Sequence, residues 1–308
     1  PENNDHEFKV KITLRQALRE SVNTIAVQLV EAIGIPIIAQ QMERMGIKSL
    51  VKEGQVNDLT YAPLALGGLT KGVTPLELTA AYTSFANHGN YVKPSALIKI
   101  LDHQGKVKKE FRPEKGKPVI SPQTAYIVTK LMQDVVENGT GWRAQLPKRP
   151  AAGKTGTTTD YTNAWFVGYT PELLTTVWIG NDRQEKSMRY KEGIIGGGTA
   201  AALWGNYMER ITSHLPIQDF PEPAGIVWAN VDPQTGHAIP AWVNRNSYKE
   251  VFAENKIPES ASYKIWRWFS SWPKKGKKEK SPAPESEDFP DNTENNRIEQ
   301  FETLNFNY

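Results

Sequence analysis

Residues 153–158, Gly153-Lys154-Thr155-Gly156-Thr157-Thr158, place one cation, three hydroxyls and two glycines in six positions. On an extended backbone such a run can hold a carboxylate. The lysine supplies charge, the threonines donate hydrogen bonds, and Gly156 lets another backbone approach. Taken alone, a Lys-Thr-Gly reads more readily as a strand end or turn, so its surroundings must decide. A phosphate loop is excluded: that motif needs glycine five residues before Gly153, where Lys148 stands.

The surroundings are β-like. Two apolar runs follow, Ala164-Trp165-Phe166-Val167-Gly168-Tyr169 and Leu174-Thr175-Thr176-Val177-Trp178-Ile179, separated by turn-type residues at 158–163 and 170–172. Their β-branched and aromatic content predicts three consecutive antiparallel strands, with Lys154 on the first. Upstream, Thr13-Leu14-Arg15-Gln16 has the form of a capping box. Apolar residues at 14, 17, 18, 22, 25, 29 and 33 then follow helical periodicity, closed by Gly34. Periodicity permits one helix, but Ser21 and Asn23 are local hydrogen-bonders better suited to a cap or turn. Two helices are therefore expected, joined at residues 21–23.

Pro36 and Gly46 bracket a further helix. Residues 62–68 are small and compatible with tight packing. Thr74-Pro75-Leu76-Glu77 opens a helix ending near Asn87-His88-Gly89, and Ser121-Pro122 opens one that Asn138-Gly139 stops. Residues 95–101 and 106–111 read as a hairpin about Asp102-His103-Gln104-Gly105. Asn138-Gly139-Thr140 also fits a glycosylation acceptor pattern, here a chance match. Gly196-Gly197-Gly198 precedes a helix at 199–211; the glycines can cradle an anion, but close packing is the favoured reading. Residues 226–260 read as short strands and turns, with a turn at 232–236.

The chain has 308 residues, 39% hydrophobic, with a net charge of +3, which gives no argument for nucleic acid. No cysteine occurs, which excludes disulfides, thiol catalysis and thiolate metal sites. Five scattered histidines lack ligand spacing, so no metal and no cofactor are expected. No apolar run approaches the roughly 18 residues of a membrane span. The opening Pro1-Glu2-Asn3-Asn4-Asp5 has neither methionine nor signal peptide and reads as the interior of a longer protein. Residues 263–308 become polar, basic at 274–280 and then acidic, as in a disordered tail. The aromatic stretch 266–272 is read either as a membrane- or polymer-touching patch or as one folded back on the domain. The expected organisation is one domain over residues 1–262, with a small β-rich end region at 226–262, and the tail beyond.

Ser21-Val22-Asn23 followed by Lys154-Thr155-Gly156 matches two of the three signatures of penicillin-binding proteins and serine β-lactamases. The approach Leu14-Arg15-Gln16-Ala17-Leu18-Arg19-Glu20 resembles class A penicillin-binding proteins. So do Gly72-Val73-Thr74-Pro75-Leu76-Glu77, Asn138-Gly139-Thr140-Gly141, Asp160-Tyr161 and Ala164-Trp165-Phe166-Val167-Gly168-Tyr169-Thr170-Pro171. The similarity runs from about Lys11 to Ser260. The fold it implies is α/β of the α+β kind: an antiparallel sheet with helices on both faces, β-lactamase/transpeptidase-like, its N-terminal portion missing.

The resemblance implies cross-linking of peptidoglycan through a serine acyl-enzyme. The family's nucleophile is the serine of a Ser-x-x-Lys lying before Ser-x-Asn, and nothing before Ser21 has that form. Ser49-Leu50-Val51-Lys52 and Ser271-Trp272-Pro273-Lys274 match in the wrong places and are read as decoys. The chain is thus expected to be a transpeptidase domain starting downstream of its nucleophile and inactive alone. By resemblance, Ser21 relays a proton to the leaving amine, and Asn23 holds the absent lysine and the substrate backbone. Lys154 attracts the terminal carboxylate, which Thr155 and, above all, Thr157 contact. Gly156 leaves room for a strand-like peptide, and the Thr157 N–H forms half of an oxyanion hole.

Implied partners are a stem peptide ending in D-Ala-D-Ala, β-lactams, the membrane through an upstream anchor, and division or elongation proteins. The implied location is the extracytoplasmic face of the bacterial plasma membrane. Competing readings are a D,D-carboxypeptidase or β-lactamase, and a non-catalytic peptidoglycan- or β-lactam-binding sensor of the same fold.

Overall fold

The computed structural model describes residues 12–259, except 113, 182–185, 192, 234, 241 and 244–245, and also residues 263–264. The aromatic stretch 266–272 and the expected tail from residue 265 onward lie outside the described residues. The chain divides into two compact units, residues 1–226 and 227–308.

The first unit begins with two short helices, α1 (Leu14–Glu20) and α2 (Asn23–Ile33). The Thr13 hydroxyl caps α1 by accepting from the Gln16 N–H at 3.2 Å. The Gln16 side chain turns along the helix, its Nε2 donating to Glu20 Oε1 at 3.1 Å. The helices break where the sequence places the junction. Ser21 adopts left-handed backbone angles (φ 57°, ψ 50°), and its N–H closes α1 on the Ala17 and Leu18 carbonyls. Gly34, at φ 98°, turns the chain from α2 into α3 (Ile35–Arg44). Next come α4 (Tyr61–Leu66) and α5 (Pro75–Ala86), the latter capped by the Thr74 hydroxyl on the Glu77 N–H.

Strands β1 (Asn90–Tyr91) and β4 (Lys117–Pro118) pair around an exposed hairpin of β2 (Lys99–Leu101) and β3 (Val107–Glu110). Asp102 shapes that hairpin's turn by accepting from the Gln104 and Lys106 N–H groups. Helix α6 (Pro122–Asn138) starts on a Ser121 cap and stops at Gly139.

Strands β5 (Ala152–Thr157), β6 (Asn163–Tyr169) and β7 (Leu174–Gly180) form an antiparallel sheet in that order. A small pair, β8 (Arg189–Tyr190) and β9 (Gly193–Ile194), leads into α7 (Gly197–Thr212). The register sets Lys154 opposite Val167 and Thr176, and Thr155 opposite Phe166 and Val177. Cross-strand neighbours share a face. One face therefore carries Lys154, Val167 and Thr176, and the other Thr155, Phe166 and Val177.

Helices cover both faces, as expected. On the second, α7 lays Ala200, Ala201, Trp204 and Met208 against Phe166, with Val136, Ala144 and Ala151 completing the core. Trp204 and Phe166 are fully buried and meet edge to face at 5.3 Å, and Trp204 Nε1 donates to the Thr175 carbonyl. On the first face, Thr79 of α5 meets Thr176, hydroxyl to hydroxyl, at 2.6 Å. The triple glycine settles as a packing device. Gly196 is the N-cap, and Gly197 and Gly198 lie inside α7, two residues before the start read from sequence. A Cβ on Gly197 would stand 2.9 Å from Thr155 Cβ and 3.0 Å from the Gly156 carbonyl oxygen.

The far end of α7 is held by Arg149. Its buried guanidinium donates to the carbonyls of Thr212, Leu215 and Pro216 and to Glu172 Oε1. Of these carbonyls, only that of Thr212 belongs to the last turn of α7, where carbonyls have no intrahelical donor; those of Leu215 and Pro216 lie in the chain just beyond it.

In the second unit, β10 (Ile226–Val231) lies between β11 (Ala238–Ile239) and β12 (Tyr248–Ala253). The expected turn forms there, closed by the Gly236 N–H on the Asp232 carbonyl. Ala229, Ala238 and Tyr263 make its buried cluster. Tyr263 is only 4% exposed, so packing continues at a position assigned to the tail.

Candidate active site

The site forms where the α1–α2 junction meets β5. Lys154 Nζ donates to Ser21 Oγ at 2.8 Å and to the Thr155 carbonyl at 3.0 Å. These motifs are 133 residues apart in sequence. Lys154 keeps some exposed surface, but its packing is dense enough that burial alone lowers its pKa from 10.5 to about 8. A protonated lysine has three N–H donors, and two are committed here, leaving one for an incoming group. Ser21 Oγ accepts from Lys154, so its own proton is free to be donated elsewhere. The left-handed backbone at Ser21 is unusual for a non-glycine residue and presents the hydroxyl at the break between two helices. Asn23 is the first residue of α2 and half-buried.

Strand β5 presents an open edge to this pair. The Thr158 N–H turns inward to the Asn163 carbonyl. Strand alternation then turns the N–H and C=O groups of Thr157 and Thr155 outward. The Thr155 carbonyl that Lys154 reaches lies on that outer edge, in agreement. Among the described residues no strand pairs there. Thr157 is exposed, and its Oγ1 accepts from the Gly197 N–H at 2.9 Å, which leaves its proton free to donate outward. The N-terminus of α7 adds positive potential at that point. Gly156 sits opposite Trp165, where a Cβ would come within 3.3 Å of the Trp165 Cβ.

Several residues that build the site were not singled out from sequence. Asp134 on α6, buried, faces Arg19 Nη1 at 3.8 Å and Arg15 Nη1 at 3.9 Å, and accepts from Asn138 Nδ2 at 2.7 Å. Arg15 also donates to the Lys130 carbonyl. This network ties the end of α1, and with it Ser21, to α6. The repeated arginine at i and i+4 in α1 was the available signal, but only the fold supplies the acid.

The decoy reading of Ser49 fits the geometry. Lys52 pairs with Glu43, the Ser49 N–H donates to Glu77 Oε1, and Ser49 Oγ is buried without a partner. No lysine activates it.

A helix-flanked antiparallel sheet carrying this lysine–serine contact at its edge strand defines a class, and comparison with known proteins agrees. Residues 2–200 match the family model described as the penicillin binding protein transpeptidase domain. The chain belongs to this family. Penicillin-binding protein 1A of Clostridium botulinum is 36% identical over 265 residues, 84% of this chain and 31% of that protein. Its Aquifex aeolicus counterpart is 37% identical over 234 residues, 76% of this chain and 30% of that protein. The chain thus spans just under a third of the length of these curated relatives. Among solved structures, penicillin-binding protein 1A from Haemophilus influenzae superposes with a TM-score of 0.73 at 27% identity, over 84% of this chain and 42% of that one. PonA1 of Mycobacterium tuberculosis, solved in complex with penicillin V, gives 0.63 at 26%, over 72% and 62%. The class A resemblance read from the motifs is borne out.

Proposed function

We propose that this chain carries the substrate-binding and proton-relay groups of a serine D,D-transpeptidase that cross-links peptidoglycan stem peptides and is acylated by β-lactams. The observation that carries this is the Lys154–Ser21 contact beside the open edge of β5. A stem peptide ending in D-Ala-D-Ala lies along β5 and bonds the outward backbone of Thr155 and Thr157. Its terminal carboxylate meets the Thr157 and Thr155 hydroxyls in the field of Lys154 and α7. Bond cleavage frees an amine that needs a proton. Ser21 donates its own and regains one through Lys154. The Thr157 N–H supports the oxyanion, and Asn23 orients the substrate backbone.

The acylated serine and its lysine base are not assigned within these 308 residues, because no Ser-x-x-Lys precedes Ser21. A second reading is reversible binding of peptide or β-lactam without turnover. The extracytoplasmic face of the plasma membrane is the location that fits the substrate, with membrane attachment and division or elongation proteins as further expected partners.

The test is labelling with a fluorescent penicillin of this chain and of the full-length protein. A covalent band for the full-length protein only is the expected result. No band with either, alongside saturable reversible binding, would favour the binding module. A band with the 308-residue chain would put its nucleophile inside these residues and return attention to Ser49.

A further inference from the structure

We propose that Thr140 is a positioning residue of this site, one that orients the Thr155 hydroxyl toward the substrate carboxylate. The inference rests on the transpeptidase reading above and concerns a residue to which that reading gives no role.

Thr140 follows Gly139, where α6 ends. A Cβ on Gly139 would stand 2.5 Å from the Arg19 carbonyl oxygen and 2.6 Å from Arg19 Cγ, so only glycine lets α6 end against α1. Beyond that contact, the Thr140 N–H donates to the Arg19 carbonyl at 3.2 Å. This carbonyl lies in the last turn of α1, where carbonyls have no intrahelical donor. The Thr140 side chain reaches the other way. Its Oγ1 lies 2.7 Å from Thr155 Oγ1. One residue thus holds the chain two positions before Ser21 by its backbone and the residue after Lys154 by its hydroxyl.

The proton count gives this contact a direction in the loaded site. Two hydroxyls at this distance share one hydrogen. A Thr155 that donates to a carboxylate must accept from Thr140, giving a chain from Thr140 to Thr155 to the carboxylate. Each donor in such a chain polarises the next. Thr140 then acts on the substrate through Thr155. Valine has the shape of threonine but cannot donate, and it keeps the N–H that holds Arg19.

The experiment compares T140V, T140S, T155V and T140V/T155V in the full-length protein by acylation rate with a labelled penicillin. The methyl ester of the same penicillin and the melting temperature serve as controls. T140V should lower acylation about fivefold, with melting unchanged and the ester unaffected, and T140S should restore the rate. T140V/T155V should be no slower than T155V alone, since both substitutions break one chain. A wild-type rate in T140V, or losses that multiply in the double variant, would overturn the role of Thr140. A wild-type protein that penicillin does not label would overturn the transpeptidase reading itself, and this inference with it.

Discussion

At the scale of single residues, the site depends on a lysine held at the limit of its charged range. Burial depresses Lys154 to about 8, so below that pH it offers an ammonium to a carboxylate and above it does not. Acylation of the full-length protein by a carboxylate-bearing β-lactam should therefore fall as pH rises through about 8. K154R should carry any residual activity to higher pH, because a guanidinium stays charged. Folding has the opposite slope. A free lysine titrates at 10.5, so between about 8 and 10.5 the unfolded chain binds more protons than the folded one, and stability rises with pH across that window. Denaturant midpoints of this chain over the same window should show the rise, and K154M should remove it. The lysine and Ser21 were legible from sequence because their motifs are local. Asp134 was not, and Thr140 stood out only as part of the motif at 138–141, since the importance of both lies in what they touch.

At the scale of elements, two contacts determine whether the site assembles. Gly139 sets the approach of α6 to α1. G139A should force the helices apart and destabilise the chain by about 2 kcal/mol, read as a lower urea midpoint, and should also weaken penicillin labelling of the full-length protein. Arg149 holds the end of α7. R149A should cost about 3 kcal/mol, because Glu172 and three carbonyls lose their donor together. R149K should recover only part, since one ammonium cannot span four acceptors that a planar fork reaches. Element boundaries were read well where a residue can adopt only a few conformations. Pro36, Pro75 and Pro122 opened helices, and Ser21 broke one. Helix α7 was begun two residues late, because glycine is read as a breaker, whereas Gly197 is required inside the first turn by its approach to Thr155.

At the scale of the whole molecule, the first unit depends on one large side chain between sheet and helix. W204A should lower its stability by about 4 kcal/mol, seen as a loss of melting temperature and of tryptophan fluorescence change on unfolding. The sequence by itself determined the three-strand sheet, the break at Ser21 and the two motifs, because each is written in local periodicity, turn chemistry or short-range spacing; the family came from the resemblance of those motifs to known proteins. Only the tertiary structure decided that the motifs meet, that the N–H groups of Thr157 and Thr155 face outward, and that Thr140 joins α1 to β5. Those facts depend on strand register and helix packing across 133 residues of chain. No local pattern encodes such distances; they follow from which buried faces fit together.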